Sequence, residues 1–167
     1  MLRERGGAAL SSATGERVSA RVARLELESF VPYRLSVLSN RVSGAIARQY
    51  TERFGVTMAE WRVMAVLGGS PGLSARDLAE RTGMDKVQVS RAVTALVKRK
   101  RIARKADASD GRVQRLALTP KGEAIYDEIV PVARKLEAEF LAGLDPSDRA
   151  TLDRILTTLS LRVDALS

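Results

Sequence analysis

Lys86, Val87, Gln88, Ser90, Arg91 and Thr94 fall within one short stretch of this chain. Their types are those that read base-pair edges in a DNA major groove. Arg and Lys match guanine O6 and N7, Gln matches adenine, Ser and Thr suit either, and Val suits a thymine methyl. On a helix they would face away from an apolar stripe formed by Val89, Ala92, Val93, Leu96 and Val97. Lys98, Arg99, Lys100 and Arg101 follow at once. Cations there suit backbone phosphates, which position a protein without carrying sequence information. Lys98, Lys100 and Arg101 are the expected phosphate contacts. Taken alone, this run also fits a solvated basic face cooperating with a helix C-terminus.

Charge is distributed unevenly. Met84 to Thr119 holds ten basic and three acidic residues, a net +7 against +8 for the whole chain. Residues 120 to 167 hold six basic and nine acidic residues, a net −3. A positive module followed by an acidic segment points to a polyanion bound at one face.

The elements that must position these residues can be read from caps and periods. Residues 1–19, rich in Gly, Ala and Ser without a period, are expected to be a disordered tail. A helical pattern runs from about Ala20 to Phe54, with Pro32 as a first-turn residue or kink, and Gly55 ends it. Thr57 to Glu60 matches a capping box and opens a helix to about Gly68. Ser74 to Asp77 is a second, weaker box that opens a short helix to Thr82 with Leu78 and Ala79 inward. Gly83 supplies a turn, and Asp85 caps the next helix. Ile102–Ala106 and Val113–Leu118 read as strands around the turn chemistry of Asp107 to Arg112. Thr119-Pro120 starts a helix to about Ala142, and Asp145-Pro146 starts the last one. Leu152, Ile155, Leu156, Leu159, Val163 and Leu166 form a continuous seam on that last helix, which predicts a partner subunit.

Helix, glycine turn, helix and basic hairpin make the winged-helix layout. Three segments, EWRVMAVLGGSPGLSARDLAERTGM, DKVQVSRAVTALVKRKRI and DASDGRVQRLALTPKGEAIY, resemble the MarR family of bacterial transcription regulators. The family's D-x-x-D-x-R wing motif stands here as Asp107, Asp110 and Arg112, with Gly111 where a basic residue is common. The resemblance covers roughly residues 28 to 165. It implies a mostly α fold with a small β-wing, a winged helix-turn-helix joined to a helical dimerisation lobe. The expected division is a tail over 1–19, a dimerisation lobe from 20–55 with 119–167, and a DNA-binding lobe over 56–118. Arg112 at the wing tip is expected to enter a narrow minor groove, where the potential is most negative, with Asp110 holding its guanidinium. A plain surface turn pair would place the same two residues there.

Trp61 and Met64 share one face of the second predicted helix. Plain core packing fits them. So does the wall of an effector pocket, because the resemblance implies a small, often aromatic, anion bound between the lobes. Tyr33, Leu38 and Arg41 would complete that pocket from the first helix. Arg34, Arg41 and Arg48 lie seven apart, which fits snorkelling at a subunit boundary as well as a contact from Arg41 to an acidic ligand.

Composition closes other routes. The chain has no Cys and no His, so it lacks thiolate chemistry, Cys-ligated zinc and the commonest general base. Asp107-x-x-Asp110-Gly111 lacks the further carboxylates of a calcium loop. No cofactor, no metal and no enzymatic activity are expected. No apolar run approaches the ~20 residues of a membrane helix, and the N-terminal residues lack the apolar core of a signal peptide, so a cytoplasmic location is expected. The expected function is a homodimeric, sequence-specific regulator of transcription on a palindromic double-stranded operator, most often a repressor, released by a small ligand. The alternative is a sequence-tolerant architectural DNA binder without an effector.

Overall fold

Thr57 accepts a backbone hydrogen bond from Glu60 while the Glu60 carboxylate accepts from the Thr57 N–H, so both halves of the first capping box form. The same reciprocity holds for Ser74 and Asp77. These caps punctuate a computed structural model that describes residues 24–166. The tail expected over 1–19, and the expected helix start near Ala20, lie outside the described residues.

Six helices and two strands follow in order. They are α1 (Val31–Phe54), α2 (Met58–Gly69), α3 (Ala75–Thr82), α4 (Lys86–Lys98), β1 (Ile102–Ala106), β2 (Gln114–Leu118), α5 (Pro120–Phe140) and α6 (Pro146–Asp164). The described residues fall into two compact units, one ending at Ser36 and one beginning at Val37. In the first, a turn at Glu26–Phe30 precedes α1, and Leu25, Leu27, Phe30, Tyr33 and Leu35 are exposed.

In the second unit the core is built around α4. Val89, Ala92, Val93 and Leu96 are buried on its inner stripe, as their 3–4 spacing predicts, and Val97 is half-buried. They meet Val63, Met64 and Leu67 from α2 and Leu78 from α3, with Ile102 and Leu116 of the hairpin and Ile129 of α5 in the same cluster. Gly83 takes the left-handed conformation that lets α3 turn into α4.

The strands pair antiparallel, Ile102 opposite Leu118 through Ala106 opposite Gln114. Leu73 adds an isolated bridge to Leu116, so the hairpin also leans on the loop before α3. The second strand starts at Gln114 rather than the expected Val113. Val113 is drawn into the turn, where its N–H donates to the Asp110 carbonyl at 2.9 Å. No helix among the described residues is long and apolar enough to cross a membrane.

Candidate nucleic-acid interface

The Asp85 side chain accepts from the Gln88 N–H at 2.8 Å, which fixes where α4 begins and therefore which residues face out. Lys86, Val87, Gln88, Ser90, Arg91 and Thr94 are all exposed on the face opposite the buried stripe. Val87 is 59% exposed, an apolar side chain left in water at the tip of the helix. The side chains of Lys86 and Arg91 make no ion pair or hydrogen bond among the described residues. By contrast, Arg53, Arg76, Arg99 and Arg115 are each paired with a carboxylate.

The run after α4 divides in two. The Lys100 N–H donates to Val97 O and the Arg101 N–H donates to Leu96 O, both at 2.9 Å. Lys100 has φ of 56°, the left-handed region. This is a Schellman cap with lysine at the position where glycine is usual. The reversal sends alternate side chains opposite ways. Lys98 and Lys100 are exposed. Arg101 turns inward and is buried, its Nη2 donating to Phe54 O at 2.6 Å. The expectation that Arg101 contacts phosphate is therefore corrected, because its guanidinium does not reach the surface. Burial, then the neighbouring Arg99 charge, pulls its pKa down. Arg99, not singled out in the sequence, grips the buried Glu60 carboxylate at 3.0 Å and Gly55 O at 2.8 Å.

In the hairpin loop, Asp107 organises the turn. Its Oδ1 accepts from the Ser109 N–H, the Ser109 hydroxyl and the Asp110 N–H, and its Oδ2 accepts from Arg115 Nε. Those bonds, the Ser109 hydroxyl first and the Arg115 guanidinium next, hold the Asp107 carboxyl well below the usual carboxylate range. Arg115 Nη1 also lies 3.6 Å from Asp77, so the wing stem is tied to the N-terminus of α3. Arg112 and Asp110 are exposed at the tip. Asp110 does not hold the Arg112 guanidinium as expected. It accepts the Arg112 backbone N–H at 3.0 Å, a local turn bond that leaves the guanidinium unpaired among the described residues.

The five expected pocket residues have different surroundings. Met64 is fully buried in the core. Trp61 is half-buried and packs against Tyr50 and Tyr126, with ring centroids 5.6 and 5.8 Å away. Burial pushes the Tyr50 phenol up to about 12. Tyr33 is exposed in the first unit. Leu38 and Arg41 instead line a groove of about 810 Å³ with Ile46, Leu136, Phe140 and Leu156. No group of three or more acidic residues among the described residues is placed to hold a metal ion.

The MarR family model matches residues 54–113, which span the end of α1, the helix-turn-helix and the first part of the hairpin. A helix-turn-helix-type transcriptional repressor of Mycobacterium tuberculosis is 29% identical over 131 residues, covering 78% of this chain and 91% of the relative. A MarR/EmrR family regulator from Acinetobacter sp. ADP1 superposes with a TM-score of 0.78 at 26% identity, over 84% of this chain and 99% of that one. Residues 54–113 thus match the MarR family, and the described residues share the winged-helix fold of MarR-family transcription regulators.

A further solved structure, BpsR of Bordetella bronchiseptica, superposes with a TM-score of 0.72 at 27% identity, over 82% of this chain and 97% of that one. Its structure concerns regulation of DNA binding by 6-hydroxynicotinic acid. Arg115 is the residue that sequence reasoning missed. Its link to Asp107 crosses the hairpin, and the register that brings them together is not legible without the turn.

Proposed function

We propose that this chain is a homodimeric, sequence-specific double-stranded-DNA-binding repressor whose grip is released by a small aromatic or anionic ligand. The outer face of α4 carries this reading. Six groove-reading side chains stand exposed there, and the two cations among them have no partner within the described residues. Cations left unpaired beside a helix cap are free to meet bases and phosphates. Lys98 and Lys100 supply phosphate contacts, and Arg112 with Asp110 forms the wing contact. The lobe from 56–118 reads DNA. The helices on either side of it, α1, α5 and α6, pair the two copies.

Pairing is supported by apolar surface that this chain leaves in water. Leu38, Phe140, Ile155, Leu156 and Leu159 are between 39% and 51% exposed. Two copies would set two α4 helices into successive major grooves, about 34 Å apart on a palindromic site. Ligand release is supported by the BpsR relative. Arg41, on the rim of the apolar groove, is the cation that would meet a ligand's carboxylate. A ligand there would act by favouring a spacing of the two α4 helices that misses the grooves.

The test is selection of binding sites from random duplex DNA, followed by titration on the enriched site and on scrambled DNA. Enrichment of a two-fold-symmetric sequence is expected. Equal affinity for enriched and scrambled DNA would replace this reading with that of an architectural binder.

A further inference from the structure

The carbonyls that end α1 are held by side chains from the end of α4. A helix C-terminus leaves carbonyls without intrahelical partners, and cations are favoured beside them. Here Phe54 O accepts from Arg101 Nη2 at 2.6 Å, and Gly55 O accepts from Arg99 Nη1 at 2.8 Å. Arg99 Nη1 also reaches Glu60 Oε1 and Oε2 at 3.0 and 3.1 Å. Glu60 is 3% exposed, and its second role is to close the cap of α2 through the Thr57 N–H at 2.8 Å. One small polar cluster thus joins the end of α1, the start of α2 and the exit of α4.

Two features mark this cluster as more than a source of stability. Arg101 is buried, and among the described residues its Nε and Nη1 have no hydrogen-bond partner. Unpaired buried donors are costly, and an apolar side chain of similar volume there would often stabilise the fold as well or better. What arginine adds at 101 is a fixed donor to the α1 carbonyl. The second feature is leverage. The cluster grips the C-terminal end of α4, whereas the base-reading residues sit in its first turns. A helix of α4's length spans about 20 Å, so a tilt of roughly 10° about its C-terminal end moves its start by roughly 3 Å, about one base-pair step.

We infer that Glu60, Arg99 and Arg101 are positioning residues that fix the direction of α4 against the end of α1 and so set where its reading face points. They act through the helix they hold. The consequence for DNA rests on the reading of α4 as the recognition helix, while the geometric claim stands without it.

The absence of native cysteine allows a clean measurement of the geometry. Spin labels at Gln49→Cys on α1 and Val87→Cys on α4, both exposed positions, report the angle between the helices. Dilution with unlabelled chain restricts the signal to distances within one copy. A narrow distance distribution is expected with the cluster intact. Arg99→Gln should broaden it or shift it by roughly 3 Å, the displacement of a ~10° tilt, and Arg99→Lys should recover part of the change. Should Arg99→Gln fail to fold, Arg101→Met is the second variant, expected to keep its Tm and still broaden the distribution. A distribution unchanged in every folded variant overturns the proposal and leaves the cluster as a stability element. On DNA, without the labels, Arg99→Gln should bind the selected site about tenfold more weakly and scrambled DNA unchanged. A wild-type chain that selects no site would overturn the DNA reading, and the distance measurement would still decide the positioning role.

Discussion

Gly122, in the first turn of α5, lies so close to the Arg101 carbonyl oxygen that a Cβ at 122 would collide with it. The contact has a clear origin. The same oxygen accepts from the Thr119 N–H at 3.0 Å and from its hydroxyl at 3.1 Å, while the Thr119 hydroxyl oxygen in turn caps the Gly122 N–H. The start of α5 is therefore docked on the backbone where α4 gives way to β1.

Gly122→Ala should destabilise the chain by at least about 2 kcal/mol, because the obstacle is backbone and cannot rotate away. Urea denaturation of the two proteins measures it. An unchanged midpoint would mean that the docking is looser than described.

Lys100 occupies the left-handed position of the Schellman cap, where a side chain is unfavourable by about 1 kcal/mol relative to glycine. Lys100→Gly should raise stability by roughly 0.5–1 kcal/mol while Lys100→Ala leaves it near the parent value. Both should lower the slope of log affinity against log salt by about one, through the lost phosphate contact. A slope equal to the parent's in both variants would remove Lys100 from the interface.

Arg91→Ala and Gln88→Ala should each cost about 1–3 kcal/mol at particular base pairs and leave the fold intact, since both side chains are exposed. Titration on the selected site and its single-base variants separates lost reading from lost grip. Equal losses on every sequence would show that neither residue reads a base.

The wing residues should separate by role. Arg112→Ala is expected to leave folding intact and to weaken operator binding about tenfold, roughly 1.4 kcal/mol, most on A·T-rich flanks with a narrow minor groove. Arg115→Ala should instead loosen the hairpin, because Arg115 ties Asp107 to Asp77. Faster amide exchange at Asp107 to Val113 in Arg115→Ala, and parent-like exchange in Arg112→Ala, is the expected contrast. The reverse pattern would exchange the two assignments.

The pH dependence follows from the shifted carboxyls. Asp107, Asp77 and Asp145 are all held below the ordinary value, by hydrogen bonds first of all. A depressed folded-state pKa contributes stability above the unfolded value near 3.9, and that stability is lost as pH falls through the folded value. With no histidine in the chain, Tm should be nearly flat from about pH 5.5 to 8 and fall below about pH 4. Asp107→Asn should flatten the acid limb. A transition near pH 6.5 would point to a group outside this account.

Much of the architecture was legible because it is local. Thr57, Ser74, Asp85, Thr119 and Asp145 each cap the helix that their spacing predicts. A cap bonds to a residue two or three positions on, so the sequence alone contains both partners. The stripe of Val89, Ala92, Val93 and Leu96 fixed which side of α4 would be dry, and by subtraction which side would face solvent.

What tertiary structure alone decided is where the charges next to that helix point. Lys98 to Arg101 reads as one basic run, and composition treats its members alike. The Schellman reversal, formed without the glycine that would announce it, sends Lys98 and Lys100 outward and brings Arg101 to a carbonyl 47 positions back in the chain. The ring contacts of Trp61 with Tyr50 of α1 and Tyr126 of α5 likewise join residues far apart in the chain. Arg115 found Asp107 only through the register of the hairpin. Caps, periods and net charge belong to neighbours along the chain, so the sequence determined the elements and the sign of their field. Buried partners, stacked rings and cross-strand pairs belong to residues far apart in the chain, and only the closing of the fold brings those together.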